Sequence, residues 1–192
     1  MNWRSALKAD LARHSRRDVL SIVTLTLIRL NQGVSDPSFG PSRFIVGPFV
    51  KLAKFVWCEL CMSAQFPTST EIGPGLRLPH GGRGVMIYPL TKIGSNCTIF
   101  QWATIGAIEV IDDDNFEQWE WAAFPTIGDN VYIGCGAQIF GNVHVGDRAR
   151  IGFGAVVVKD VPADATVKPV PGEMVLRRRT VADPDVASGE RA

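Results

Sequence analysis

Between Ile127 and Val157 an aliphatic residue recurs at every sixth position: Ile127, Ile133, Ile139, Val145, Ile151 and Val157. Glycine follows it at Gly128, Gly134, Gly146 and Gly152, and a small or β-branched residue stands four places on, at Val131, Ala137, Val143, Ala149 and Ala155. Neither a helix of about 3.6 residues per turn nor a strand of period two keeps this spacing. A chain wound around a triangular prism does, with one hexad per face and about three per coil, each aliphatic residue pointing inward onto its counterpart a coil away. Stacked coils then form three parallel sheets, and glycine after the aliphatic position suits a tight corner. The expected fold is mainly β, a parallel β-helix of hexapeptide repeats.

The same register runs through Ile87, Ile93, Ile99 and Ile105, with Ile72 and Leu78 as a first, less regular coil. Between Ile105 and Ile127 it is interrupted by a stretch rich in Asp, Glu and Trp, from Glu109 to Trp121. That stretch reads as a loop, residues 107–126, leaving a rigid scaffold, the usual place for binding residues. The prism is expected over residues 66–176, with Val167 to Val175 capping its open end. Residues 177–192, opening on Arg177, Arg178 and Arg179, read as a disordered tail.

Residues 1–65 are written differently and read as an N-terminal helical segment. Residues 2–31 suggest one helix, basic at first and apolar from Val19 to Leu30, with Ser15 and Asp18 as a helix-start signal. Gly33 to Pro41 reads as a linker, and Phe44 to Met62 as a second apolar segment broken at Pro48. The apolar run is too short for a bilayer span and no small-residue cleavage site follows it, so neither a transmembrane helix nor a signal peptide is expected. Packing on the prism or on each other is the simplest role for both segments. Peripheral membrane contact by basic amphipathic helices is the competing one.

With 20 Lys and Arg against 19 Asp and Glu, the net charge of +1 offers no electrostatic footprint for nucleic acid. The four cysteines are scattered, two of them (Cys97 and Cys135) at repeat positions that want small residues, which fits a reducing cytoplasm better than a disulfide framework. Cys58 and Cys61 form a lone CxxC in an apolar, Trp-containing stretch and read as packing residues, and no metal site is expected.

Of three histidines, His14 lies in the basic helix as a surface residue, and His144 ends a hexad facing outward. His80 is different, because it sits in Leu78-Pro-His-Gly-Gly-Arg-Gly-Val-Met-Ile87, where the period breaks and glycines open the backbone. Imidazole is the side chain best matched to taking a proton near neutral pH, which an alcohol must lose on attacking an acyl carbonyl. Glycine-rich backbone could offer N–H groups to the oxyanion.

Ile72-Gly-Pro-Gly-Leu-Arg-Leu-Pro-His80, Ala103-Thr-Ile-Gly106, Ile127-Gly-Asp-Asn-Val-Tyr-Ile-Gly-Cys-Gly-Ala137 and Ile151-Gly-Phe-Gly-Ala-Val-Val-Val-Lys-Asp-Val-Pro162 together resemble the catalytic domain of serine acetyltransferases and related left-handed β-helix O-acetyltransferases. The resemblance implies left-handed winding, a homotrimer, acetyl-CoA as co-substrate, His80 as general base, and Ala107, Cys135 and Phe153 lining the pantetheine groove. It also shows departures. Pro79 and Gln65 stand where the family places Asp residues around the catalytic histidine, and Ala123-Phe124-Pro125 replaces an Arg-His-Pro that grips the amino acid. These departures turn the expectation toward members that acetylate a surface polysaccharide or its lipid-linked precursor, at the inner face of the membrane. The Trp-rich acidic loop suits a sugar as well as it suits a plain solvated excursion. A serine O-acetyltransferase with an altered acceptor pocket and a catalytically inactive trimeric scaffold are the alternatives. A carbonic anhydrase on the same prism would need three converging histidines, and the repeats hold only His80 and His144.

Overall fold

The structure is a computed structural model, and it describes residues 2–107 and 124–170. Its repeats form twelve short strands: β1 (Glu71–Ile72), β2 (Met86–Ile87), β3 (Lys92–Ile93), β4 (Thr98–Ile99), β5 (Thr104–Gly106), β6 (Thr126–Ile127), β7 (Tyr132–Ile133), β8 (Gln138–Phe140), β9 (His144–Val145), β10 (Arg150–Ile151), β11 (Val156–Val157) and β12 (Thr166–Val167). They make three parallel four-stranded sheets, β1-β3-β6-β9, β4-β7-β10-β12 and β2-β5-β8-β11. Every third hexad therefore lies on the same face.

The register is the one the spacing dictates. Ile72, Ile93, Ile127 and Val145 pair in one column, Ile99, Ile133 and Ile151 in the second, and Ile87, Ile105, Ile139 and Val157 in the third. All are buried. Removing each such side chain from water contributes about 1.5–3 kcal/mol, so the prism is held by its inward columns. Strand β3 pairs directly with β6 in spite of the intervening segment, so the insertion costs the prism no rung. The acidic Trp-rich loop lies largely outside the described residues, as do Arg177 to Arg179, the C-terminal tail and the outer half of the expected cap. Among the described residues, β12 closes the last rung of the second sheet.

The helical segment departs from the sequence reading in three places. Residues 2–31 form two helices, α1 (Trp3–Ala12) and α2 (Val19–Ser35), separated by a break in which Asp18 takes the N-cap position. Gly33 is not linker but part of α2, where a Cβ would lie 2.8 Å from the Trp3 ring. Close approach of the two helices explains that glycine. Pro48 does not break the third helix, α3 (Arg43–Lys54); it removes one amide from the ladder, and the chain runs on through a π-helical stretch, Phe55–Cys61.

Polar side chains join these helices to the underside of the first coil. Asp10 and Arg29 form a buried ion pair at 2.7 Å. Arg29 also donates to the Ile72 and Gly73 carbonyls at 2.8 and 2.6 Å, and Asp10 accepts from the Leu76 amide at 2.8 Å. Arg13 donates to the Gly75 carbonyl. A first coil has no coil beneath it, so its outward backbone groups need other partners, and the helices supply them.

All four cysteines are free. Burial pushes the Cys58 and Cys97 thiols up to about 11, which keeps them protonated and inert near neutral pH.

Candidate active site

One edge of the prism gathers most of the residues in question. It is the corner where the chain passes from the β4-β7-β10-β12 sheet to the β2-β5-β8-β11 sheet. The turns along it are held in a ladder: the Trp102 amide donates to the Arg83 carbonyl at 2.9 Å, Gly136 to Gln101 at 3.1 Å, and Gly154 to Cys135 at 2.8 Å. His80, Cys135 and Phe153 thus share one edge, on its first, third and fourth rungs, with Gln101 and Trp102 on the rung between His80 and Cys135 and about 4.8 Å between rungs. Ala107 does not join them, since it follows β5 at the other end of that strand, and it is buried.

The His80 turn is longer than the others. Nine positions separate Leu78 from Ile87 where six would keep the period, and the surplus bulges outward through a short 3₁₀ turn, Pro79–Gly82. His80, Gly81 and Gly82 all have positive φ, at 57°, 72° and 68°. A non-glycine residue in that region costs about 1–2 kcal/mol, a strain typical of functional turns. Gly81 is obligatory, because a Cβ there would lie 2.6 Å from the Met62 methyl and 2.9 Å from the Leu20 Cβ. His80 itself is exposed.

The turn is fastened from beneath by two residues that the sequence reading did not assign to the site. The Ser21 hydroxyl, buried on α2, donates to the Leu78 carbonyl at 2.7 Å and accepts from the Gly81 amide at 3.2 Å. His14, expected as a surface residue, is half-buried; its Nε2 accepts from the Leu78 amide at 3.3 Å while Nδ1 lies 3.0 Å from the Asp10 carbonyl oxygen. The ring thus bridges the first helix and the first coil, with one nitrogen on each. No motif marks either residue, because their partners lie 57 to 64 positions away. His144 is exposed on β9, as the hexad predicts.

Among the described residues the His80 imidazole has no hydrogen-bond partner. Gln65 sits one rung below Met86 and is exposed, so no carboxylate orients the ring from that position. Two amides of the glycine-rich turn are already engaged, Gly81 with Ser21 and Gly84 with the Met62 carbonyl at 2.9 Å, which leaves neither for an oxyanion. Phe153 is 60% exposed and meets Phe100 and Tyr132 edge-on, with ring centroids 6.2 and 6.4 Å away. No three His, Cys, Asp or Glu side chains converge as metal ligands among the described residues.

Comparison with known proteins places the chain. Residues 124–159 match the family model described as bacterial transferase hexapeptide (six repeats). The chain is 37% identical over 122 residues to the serine acetyltransferase of Synechococcus elongatus, an overlap of 61% of this chain and 47% of that protein. With the serine acetyltransferase of Staphylococcus xylosus it shares 31% identity over 175 residues, covering 88% of this chain and 76% of the relative. The chain belongs to the serine acetyltransferase family. Two solved members of the family superpose on it: soybean serine acetyltransferase, with a TM-score of 0.66 and 28% identity over 91% of this chain and 69% of that one, and the Neisseria gonorrhoeae enzyme, with 0.65 and 26% over 98% and 70%. The prism is accordingly a left-handed β-helix with N-terminal helices. Each of these relatives is named for serine, so the polysaccharide character expected from the sequence departures finds no support in them. The chain spans only about half the length of the Synechococcus relative, at 47%.

Proposed function

We propose that this chain is an acetyl-CoA-dependent O-acetyltransferase with His80 as its general base. The observation that carries the reading is the bulged turn, which holds an exposed imidazole on the same edge as Cys135 and Phe153. In the proposed reaction the imidazole takes the proton of an acceptor hydroxyl as its oxygen attacks the thioester carbonyl. The C–S bond then breaks, and the CoA sulfur leaves with that proton. Holding donor and acceptor side by side supplies much of the acceleration. Ala107 lies on the neighbouring edge, so a groove using it together with Cys135 and Phe153 requires edges of adjacent subunits, as in a homotrimer. The unpaired cysteines fit a reducing cytoplasm.

The names of the relatives favour L-serine as acceptor, ahead of the glycan that the sequence departures suggest. A glycan hydroxyl stays as the second reading on a specific ground: Gln65 and Pro79 offer no carboxylate to the imidazole, and the sequence Ala123-Phe124-Pro125 offers no cation to an amino-acid carboxylate. To this reading belongs peripheral contact with the inner membrane face, which α3 supports by exposing Phe44, Ile45, Phe49 and Leu52 beside Arg43 and Lys51. None of the described helices is long and apolar enough to cross a membrane. His80→Ala is expected to lower transfer by roughly 10²–10⁴-fold with the assembly intact; unchanged turnover removes the base. CoA release with L-serine as the sole acceptor, compared with a de-acetylated polysaccharide, decides between the two acceptors.

A further inference from the structure

Four residues with positive φ mark successive rungs of the His80 edge: Gly84, Trp102, Gly136 and Gly154, at 66°, 63°, 66° and 67°. Three are glycine, the residue that adopts this conformation freely. The fourth is the bulkiest side chain available, in a conformation where a large residue is an outlier. Burial does not explain it, because Trp102 is 56% exposed. Nor is it an incidental surface residue. A Cβ on Gly84 would lie 2.2 Å from the Trp102 ring, so the indole is seated on the backbone that follows His80, and the Trp102 amide donates to the Arg83 carbonyl of the same turn. A strained residue held by its surroundings and left open to solvent one rung from the His80 turn is the pattern of a ligand contact.

We propose that Trp102 is the acceptor platform of the His80 site and that it takes the apolar face of a pyranose ring. The inference rests on the glycan reading of the acceptor and names the residue that would recognise it. Indole presents a broad, rigid, electron-rich face whose ordering costs little conformational entropy. A pyranose offers a matching face of polarised C–H groups, whereas serine offers none. Trp102 stands one rung, about 4.8 Å, above the His80 coil, so a ring lying on the indole brings a neighbouring hydroxyl toward the imidazole. The regular glycines at 136 and 154 leave the rungs above open, since a Cβ at either would meet nothing within 4 Å.

The test is Trp102→Gly, which installs the residue that the same edge carries on its other rungs. Acetyl transfer from acetyl-CoA to methyl glucoside, methyl galactoside, methyl mannoside and L-serine is measured for the wild type, Trp102→Gly, Trp102→Phe and His80→Ala. Thermal melting and light scattering accompany it. The expected result is a melting temperature equal to or above wild type, unchanged assembly mass and an unchanged KM for acetyl-CoA. The kcat/KM for the accepted glycoside should fall at least about tenfold, the equivalent of about 1.4 kcal/mol, and Trp102→Phe should retain part of it. A wild-type rate with glycoside in Trp102→Gly overturns the platform. So does a drop that comes with a lower melting temperature or a smaller assembly, since the indole is then a packing residue. Acceptance of serine alone by the wild type removes the glycan reading and this inference together. A His80→Ala variant that still transfers to glycoside at full rate removes the base and leaves the platform standing.

Discussion

The prism and the helices that underlie it are held together by opposite means. Along the prism, one apolar residue per hexad stacks on its neighbours, so Ile99, Ile133 and Ile151 repeat the same contact rung after rung. At the junction with the helices the contact is polar and unrepeated: Asp10, Arg13, His14, Ser21 and Arg29 each satisfy a particular backbone group between Ile72 and Gly81. A repeated contact tolerates the loss of one member. A buried polar contact does not, because the group left behind keeps its desolvation cost.

Three substitutions probe that contrast. Arg29→Met should be the most damaging, since it leaves the Asp10 carboxylate and the Ile72 and Gly73 carbonyls buried without their donor; a loss of about 3–5 kcal/mol in denaturant unfolding is expected. If Asp10→Leu combined with Arg29→Met recovers much of that loss, the deficit is the stranded charge and not the pair itself. Ser21→Ala comes next, costing about 1–3 kcal/mol by unpairing the Leu78 carbonyl and the Gly81 amide. Because those groups bracket His80, its kcat should fall while the KM for acetyl-CoA stays put; a variant that loses stability but keeps kcat would make Ser21 a purely structural residue. Ile133→Val should be the mildest at about 0.5–1.5 kcal/mol, because the neighbours in its column remain. A larger effect from Ile133→Val than from Ser21→Ala would reverse the comparison.

The same contrast explains which features are legible in the sequence. Ile72 through Val157 declare their faces by spacing alone, since each hexad repeats the environment of the last. His80 was legible for the complementary reason, as a break in a strict period. Trp102 is not singled out in the sequence; its positive φ and its exposure in a column of turn glycines are what mark it. The junction was not legible. Nothing local to Ser21 or His14 announces a bond to Leu78, and Gly33 looks like linker until Trp3 is found against it. Pro48 misled because a proline's effect on a helix depends on whether the remaining ladder can carry one missing bond.

A parallel sheet whose rungs are only two or three residues long is a template waiting for the next strand at each end. Below Ile72 and Leu78 that template is filled by guanidinium, carboxylate, imidazole and hydroxyl groups, which match single backbone atoms and offer no ladder to copy. Another prism therefore finds nothing to dock on there, and growth of the helix into a fibre is stopped at this end by the segment that also holds the His80 turn in place.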